Sequence, residues 1–290
     1  MIQSMTGFGK VTTELSTKKV TVEIKTLNSK QLDIFTRIPA IYKEKDMPIR
    51  SMLLKMLERG KIEFSIQIES LGKDIPTRIN AIAVESYMAQ IKDISDKLGI
   101  ALPADWFQIL LRMPEVFKTE SVELDEAEWE AIEKIIDETI SQLHSFRIQE
   151  GAMLQKLFAQ KIANISSLLT EVEKYEGERL EKIKVRIMEN LEKVASTDYD
   201  KNRFEQEMIY YIEKLDINEE KNRLTNHLNY FISTMEDGQG QGKKLGFIAQ
   251  EIGREINTLG SKSNHAEMQK VVVQMKDELE QIKEQVLNVL

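Results

Sequence analysis

The sequence predicts an α+β fold, with an N-terminal mixed sheet-and-helix region followed by a predominantly helical C-terminal region. Between Lys18 and Lys25 the apolar Val20, Val22 and Ile24 alternate with Thr21, Glu23 and Lys25, and Ile62, Phe64, Ile66 and Ile68 repeat the pattern. That alternation belongs to strands with one covered face. From Asp125 onward the apolar residues recur instead at spacings of three and four, through Trp129, Ile132, Ile136 and Leu143 to Leu154, Leu157, Ile165, Leu168 and Leu169. That is the helical period.

Taken in order, Met5-Thr6-Gly7-Phe8-Gly9 leads through a turn toward an early strand, its glycines allowing close approach. Leu27-Asn28-Ser29-Lys30-Gln31-Leu32-Asp33 reads as a polar loop after the next strand. Ile49, Leu53, Leu54 and Leu57 have helical spacing and stop at Arg59-Gly60, where glycine supplies a C-terminal cap. Ile79 to Leu98 is a helix expected to cover the sheet, with Gly99 after it. Pro103, Trp106 and Pro114 break the pattern into a short helix or loop. The charged run Glu171 to Arg179 reads as solvated, with a bend at Gly177. A further helical block starts near Asp200 and is interrupted at Gly238-Gln239-Gly240-Gln241-Gly242 before Leu245 to Thr258 and Met268 to Val289. These breaks divide the chain into an α+β domain (1–124), a helical connecting region (125–199) and a C-terminal helical domain (200–290).

Composition narrows the chemistry. The 290 residues carry 40 Lys plus Arg against 48 Asp plus Glu, a formal charge of -8, with 41% apolar and 30% charged side chains. Such a chain folds, and it does not coat nucleic acid through bulk charge, although a local basic cleft remains open to it. It has no cysteine, which excludes disulfides, thiolate catalysis and sulfur-held metal. A metal must be held by oxygen or imidazole. The N-terminus lacks a basic region followed by an apolar core, and no segment approaches the roughly 20 apolar residues of a membrane span, so a cytoplasmic protein with no membrane partner is expected. The glycine-rich passage lacks the Lys-Ser or Lys-Thr ending of a phosphate-binding loop and reads as a hinge.

The densest constellation is C-terminal. Glu220, Arg223 and His227 step by three and four residues along one helix face, and Glu251, Arg254 and Glu255 repeat the arrangement beyond the glycines. His227, Glu251 and Glu255, with Glu220 as a fourth, are the donor types that Mg²⁺ or Mn²⁺ accepts. The same spacings also describe ordinary Glu–Arg pairs on solvated helices. Arg223, Lys243, Lys244, Arg254 and Lys262, beside Ser261, Ser263, Asn264 and His265, can hold a phosphate backbone, or simply keep a surface soluble. Arg147 and Gly151 suggest a buried Arg–Glu contact or a crossing that requires glycine, and His144, Trp106 and Trp129 read as packing or surface residues.

These segments together resemble the YicC/YloC family of bacterial proteins. The resemblance runs through Met5 to Gly9, Glu23 to Lys30, Arg147 to Gly151, Asp216 to His227, Gly242 to Leu245, Gln250 to Thr258 and Gly260 to Asn264. It implies a metal-dependent endoribonuclease that cleaves internal phosphodiester bonds of single-stranded or structured RNA with Mn²⁺ or Mg²⁺ and assembles as a homohexamer, with RNA-degradation proteins as candidate partners. It also implies that Glu220, His227, Glu251 and Glu255 are the catalytic set, with His227, Glu251 and Glu255 on the metal and Arg223, Lys243, Lys244, Arg254 and Lys262 on RNA. Gly246 stands where the family commonly has Asp, Gly253 where it has Asn and Lys30 where it has Arg, differences that bear on hydrogen bonding around the site. The alternative function is a noncatalytic RNA-binding or ribonuclease-adaptor protein.

Overall fold

The computed structural model describes residues 2–15, 17–29, 31–57, 59–71, 77–102, 104–119, 125–194, 201–238 and 240–290. Lys30, Pro103, Gln239 and the boundary residues 124, 199 and 200 therefore lie outside the described residues. The chain is an α+β protein whose C-terminal half is helical.

Strands β1 (Gly7–Glu14), β2 (Lys18–Leu27), β3 (Asp33–Arg37) and β4 (Lys61–Ser70) form one sheet in the order β1-β2-β4-β3. The alternation of Val20, Val22 and Ile24 on β2 places these side chains opposite Ile68, Ile66 and Phe64 of β4 on the covered face. β3, which starts at the last residue of the segment read as a loop, runs parallel to β4 from Asp33 opposite Lys61 to Arg37 opposite Ser65. Five residues with only Ile34 and Phe35 as strongly apolar members are too short to announce a strand by period alone.

Helix α1 (Asp46–Met56) follows a 3-10 turn and buries Ile49 and Leu53. Thr36 donates to Asp46 at 2.7 Å, and Arg50 donates to Asp46 at 3.0 Å and to the Ile34 carbonyl at 2.9 Å, tying α1 to β3. Beyond β4 come β5 (Thr77–Ile79), α2 (Ala81–Leu98), α3 (Trp106–Leu110) and β6 (Phe117–Thr119), with β5 and β6 paired antiparallel. Asn80 caps the start of α2, and Gly99, at φ 65°, ends it in the left-handed conformation. The expectation that this helix covers the sheet is corrected by the packing. Among its described side chains only Ser95 is buried, and Ile82, Ile94 and Leu98 are exposed.

The cover is α4 (Glu126–Glu173), a single helix of 48 residues. Its first half sends Trp129, Ile132, Ile136, Ile140 and Leu143 into the core under the sheet. Its second half sends Phe158, Ile162, Ile165, Leu169 and Val172 into a different core, built with the C-terminal helices. The helix bridges two cores because its buried face continues through Arg147 and Gly151 between the two apolar stretches. Arg147 sits at the crossing, 1% exposed, and donates to the Met5 carbonyl at 3.4 Å. At Gly151 an added Cβ would lie 2.1 Å from the Ile2 carbonyl oxygen, so the sequence Arg147 to Gly151 serves a crossing with the N-terminal segment that requires glycine.

The remaining helices are α5 (Glu176–Val194), α6 (Lys201–Leu215), α7 (Asn218–Glu236), α8 (Gly242–Lys262) and α9 (Ala266–Val286). The chain turns at Lys174 and Tyr175, just before the glycine of the charged run. No helix among the described residues is long and apolar enough to cross a membrane.

Candidate functional site

The glycine-rich passage joins α7 to α8 as a helical hairpin. Gly238 and Gly240 adopt φ 112° and 77°, which only glycine takes without strain, and the chain reverses there. Leu224, Leu228, Phe231 and Met235 of α7 are buried with Leu245, Ile248, Ala249, Ile252, Ile256 and Leu259 of α8. Gly242 packs against the chain's end, where a Cβ would lie 2.3 Å from the Val289 carbonyl oxygen. It is a packing glycine at the edge of the turn.

Two ion pairs mark the ends of the hairpin. Lys262 meets Glu220 at 2.8 Å at one end, and Lys244 meets Asp237 at 3.7 Å at the other. The first suits the helix dipoles, since Glu220 lies in the first turn of α7 and Lys262 in the last turn of α8, whereas Asp237 at the C-cap of α7 and Lys244 in the first turn of α8 are placed against theirs. His227 and Glu255 each lie seven residues inward from the Glu220–Lys262 pair. At about 1.5 Å per residue the two therefore stand at the same level, roughly 10 Å along the hairpin.

The side chains proposed from the sequence differ in their surroundings. Glu220 is 6% exposed; one carboxylate oxygen accepts from Lys262, and the other is buried with no hydrogen-bond partner among the described residues. Lys262 also donates to the Asp216 carbonyl at 2.8 Å. Arg223 pairs with Glu219 at 2.5 Å and Arg254 with Glu251 at 2.7 Å, both guanidinium groups remaining well exposed. Lys243 is exposed, and His227 and Glu255 are partly buried. Among the described residues no three His, Asp or Glu side chains stand close enough together to hold a metal ion. The donor types suit a hard divalent ion, but one chain does not assemble a three-donor cage from them.

Behind this face lies a layer that the sequence reading took for solvated surface. Arg179 is 3% exposed, and its guanidinium donates to the Leu215 carbonyl at 2.9 Å and the Lys262 carbonyl at 3.3 Å. It therefore ties the last turns of α6 and α8. Burial pulls its pKa down, opposed by the neighbouring Glu176 and Asp216. Lys221 reaches Glu176 at 2.8 Å, and although burial opposes its charge, Glu176 and Glu173 raise its pKa. His265 caps α9, its Nδ1 accepting from the Met268 amide at 3.4 Å while its ring stacks on Tyr175 at 5.4 Å. The signal for Arg179 was a lone arginine within a glutamate-rich run, but charge density hid it.

Gly253 turns toward α9, where a Cβ would meet Leu279 at 3.3 Å and the Lys283 ammonium at 3.5 Å. Its difference from the family pattern thus falls on a packed face.

The α7–α8 hairpin carries carboxylate, imidazole and guanidinium groups, side-chain types whose chemistry suits phosphodiesters. Comparison with known proteins agrees with that class. The family model described as endoribonuclease YicC-like, N-terminal region, matches residues 2–156, and the model described as endoribonuclease YicC-like, C-terminal, matches residues 172–290. A protein named probable endoribonuclease YicC from Clostridioides difficile (strain 630) is 30% identical over 295 residues, covering 100% of both chains. One of the same name from Haemophilus influenzae (strain ATCC 51907 / DSM 11121 / KW20 / Rd) is 28% identical over 292 residues, covering 99% of each. The chain belongs to the YicC-like endoribonuclease family.

Proposed function

We propose that this protein is a metal-dependent endoribonuclease that cleaves internal phosphodiester bonds of RNA on the α7–α8 hairpin. The observation that carries this reading is the whole-length match to endoribonuclease relatives. The hairpin supports it by carrying the proposed groups, Glu220, Arg223 and His227 on α7 and Lys243, Lys244, Glu251, Arg254, Glu255 and Lys262 on α8. Arg223, Arg254, Lys243 and Lys244 bind backbone phosphates, and Lys262 adds an N–H that its bonds to Glu220 and Asp216 leave over. Glu251, Glu255 and His227, supported by Glu220, are the proposed catalytic groups and the oxygen and imidazole donors for Mn²⁺ or Mg²⁺. When bound, such an ion polarises the scissile phosphate. A small hard ion is commonly held through one or two carboxylates together with substrate phosphate and water, which fits donors spread along a hairpin. The reading includes a cytoplasmic homohexamer working with RNA-degradation proteins.

The test is incubation of the full-length protein with internally labelled RNA and Mn²⁺ or Mg²⁺. Internal cuts are expected, lost on chelation and reduced at least 100-fold in Glu251→Ala and Glu255→Ala, the usual range for removing a group that stabilises developing charge. End-group analysis separates attack by water from attack by the 2′-hydroxyl. Cutting that persists in both variants rejects these carboxylates. Binding without cutting favours the second reading, a noncatalytic RNA-binding or adaptor protein. That reading draws on Glu251 and Glu220 already being engaged by Arg254 and Lys262.

A further inference from the structure

Arg179 is a costly way to join two helices. Its guanidinium is buried, and taking a charge out of water is unfavourable where apolar side chains would pack instead. Its Nε has no hydrogen-bond partner among the described residues. What the charge gains is two helix ends. The carbonyls it meets belong to Leu215, the last residue of α6, and Lys262, the last residue of α8, where helix dipoles concentrate negative potential.

Those two carbonyls close a ring. Leu215 is joined to Asp216 by the chain, the Asp216 carbonyl accepts from the Lys262 ammonium at 2.8 Å, and the Lys262 carbonyl accepts from Arg179. Lys262 is therefore held at both ends, its backbone by Arg179 and its ammonium by Asp216 and Glu220. An ammonium has three N–H bonds in tetrahedral array, so fixing two of them fixes the direction of the third. With the side chain 26% exposed, a ligand can reach it. A donor fixed in advance stabilises charge that develops in a reaction without reorganising at that moment, which a freely rotating lysine cannot do. We propose that Arg179 is a positioning residue for RNA cleavage, fixing Lys262 so that its third N–H is presented to the reacting phosphate. This rests on the endoribonuclease reading above.

The test is a double-mutant cycle on the full-length protein, using Mn²⁺, internally labelled RNA at saturating concentration and temperatures well below each variant's melting point. Arg179→Lys keeps the charge but loses the fork that spans two carbonyls, and Arg179→Gln keeps an N–H donor without the charge. Each is expected to slow cleavage roughly 10- to 100-fold, while RNA affinity measured in EDTA changes less than about threefold. Lys262→Gln should slow cleavage by a similar factor. Adding Arg179→Lys to Lys262→Gln should slow it less than about twofold further, since no ammonium is left to position, while still lowering the melting temperature. A merely structural arginine gives losses that multiply in the double variant, and that result overturns the proposal. Lys262→Arg leaves Arg179 in place and keeps the charge but not the donor's direction, so it should slow cleavage at least about 10-fold. Wild-type rates in Lys262→Arg overturn the proposal even where the Arg179 variants fail to fold. Wild-type rates in folded Arg179 variants overturn it too and leave the nuclease reading standing. Wild-type protein that cuts no RNA rejects the nuclease reading and this proposal with it.

Discussion

Lys262 links the candidate site to the packing beneath it. Its ammonium joins Glu220 to the Asp216 carbonyl, and its own carbonyl accepts from the buried Arg179. Lys262→Ala leaves the Glu220 carboxylate with neither oxygen paired inside the protein. The expected cost is about 3 kcal/mol in denaturant unfolding, with Glu220→Gln milder because it removes the charge that needs a partner. A loss below about 1 kcal/mol would show that water already solvates this carboxylate. His144 gives a pH test. Burial, with a smaller push from Arg147, lowers its pKa below the ordinary 6.5, so the folded state binds a proton less readily than the unfolded chain. Its contribution to stability is present above pH 6.5 and is lost as pH falls through the lowered value. Unfolding followed between pH 5 and 8 should show that decline, and His144→Gln should flatten it. Glu220, His227, Glu251 and Glu255 were legible as a helical pattern. That Glu220 is buried while Arg223 and Arg254 are exposed was not, because spacing along one helix does not say which face meets a neighbour.

The N-terminal segment depends on glycine at the element scale. Ile2 and Gln3 lie against Gly151 of α4, the Ser4 amide donates to the Arg147 carbonyl at 3.1 Å, and the Met5 amide donates to Asn288 at 2.8 Å. Leu290 in turn donates to the Gln3 carbonyl at 2.9 Å, so the two ends of the chain close on each other against α4. Gly151→Ala puts a methyl group into a space held by backbone, which cannot give way as a flexible side chain would. A destabilisation of about 2–3 kcal/mol is expected. Hydrogen exchange should speed up together at Ser4, Met5 and Leu290, and exchange confined to one of them would break the proposed coupling. β2 and β4 were readable from alternation and α2 from its apolar stripe and the glycine after it. β3 was not readable, since its strand character comes from pairing with β4. The role of α2 as sheet cover was misassigned because an apolar stripe says that a helix needs a partner without saying which one.

Across the whole molecule, α4 spans from the core beneath the sheet to the core of the C-terminal helices, so that the hairpin site and the sheet belong to one continuous framework. The proposed homohexamer predicts sedimentation at six times the 33.5 kDa chain. A species at the mass of one chain, at the concentration where RNA is bound, would reject that assembly. The charge of -8 weighs against nonspecific coating of nucleic acid, and the proposed function puts the local path for phosphate at the exposed Arg223 and Arg254. By itself the sequence determined the α+β class, the helical C-terminal half, the lack of sulfur chemistry and the identity of the charged groups, because periodicity and composition are local properties. Only the tertiary structure decided that α4 is the sheet's cover, that Arg179 and Glu220 are buried, and that His227 and Glu255 share a level. Those outcomes depend on which faces of distant segments meet, and burial against a partner is a property that no single segment carries.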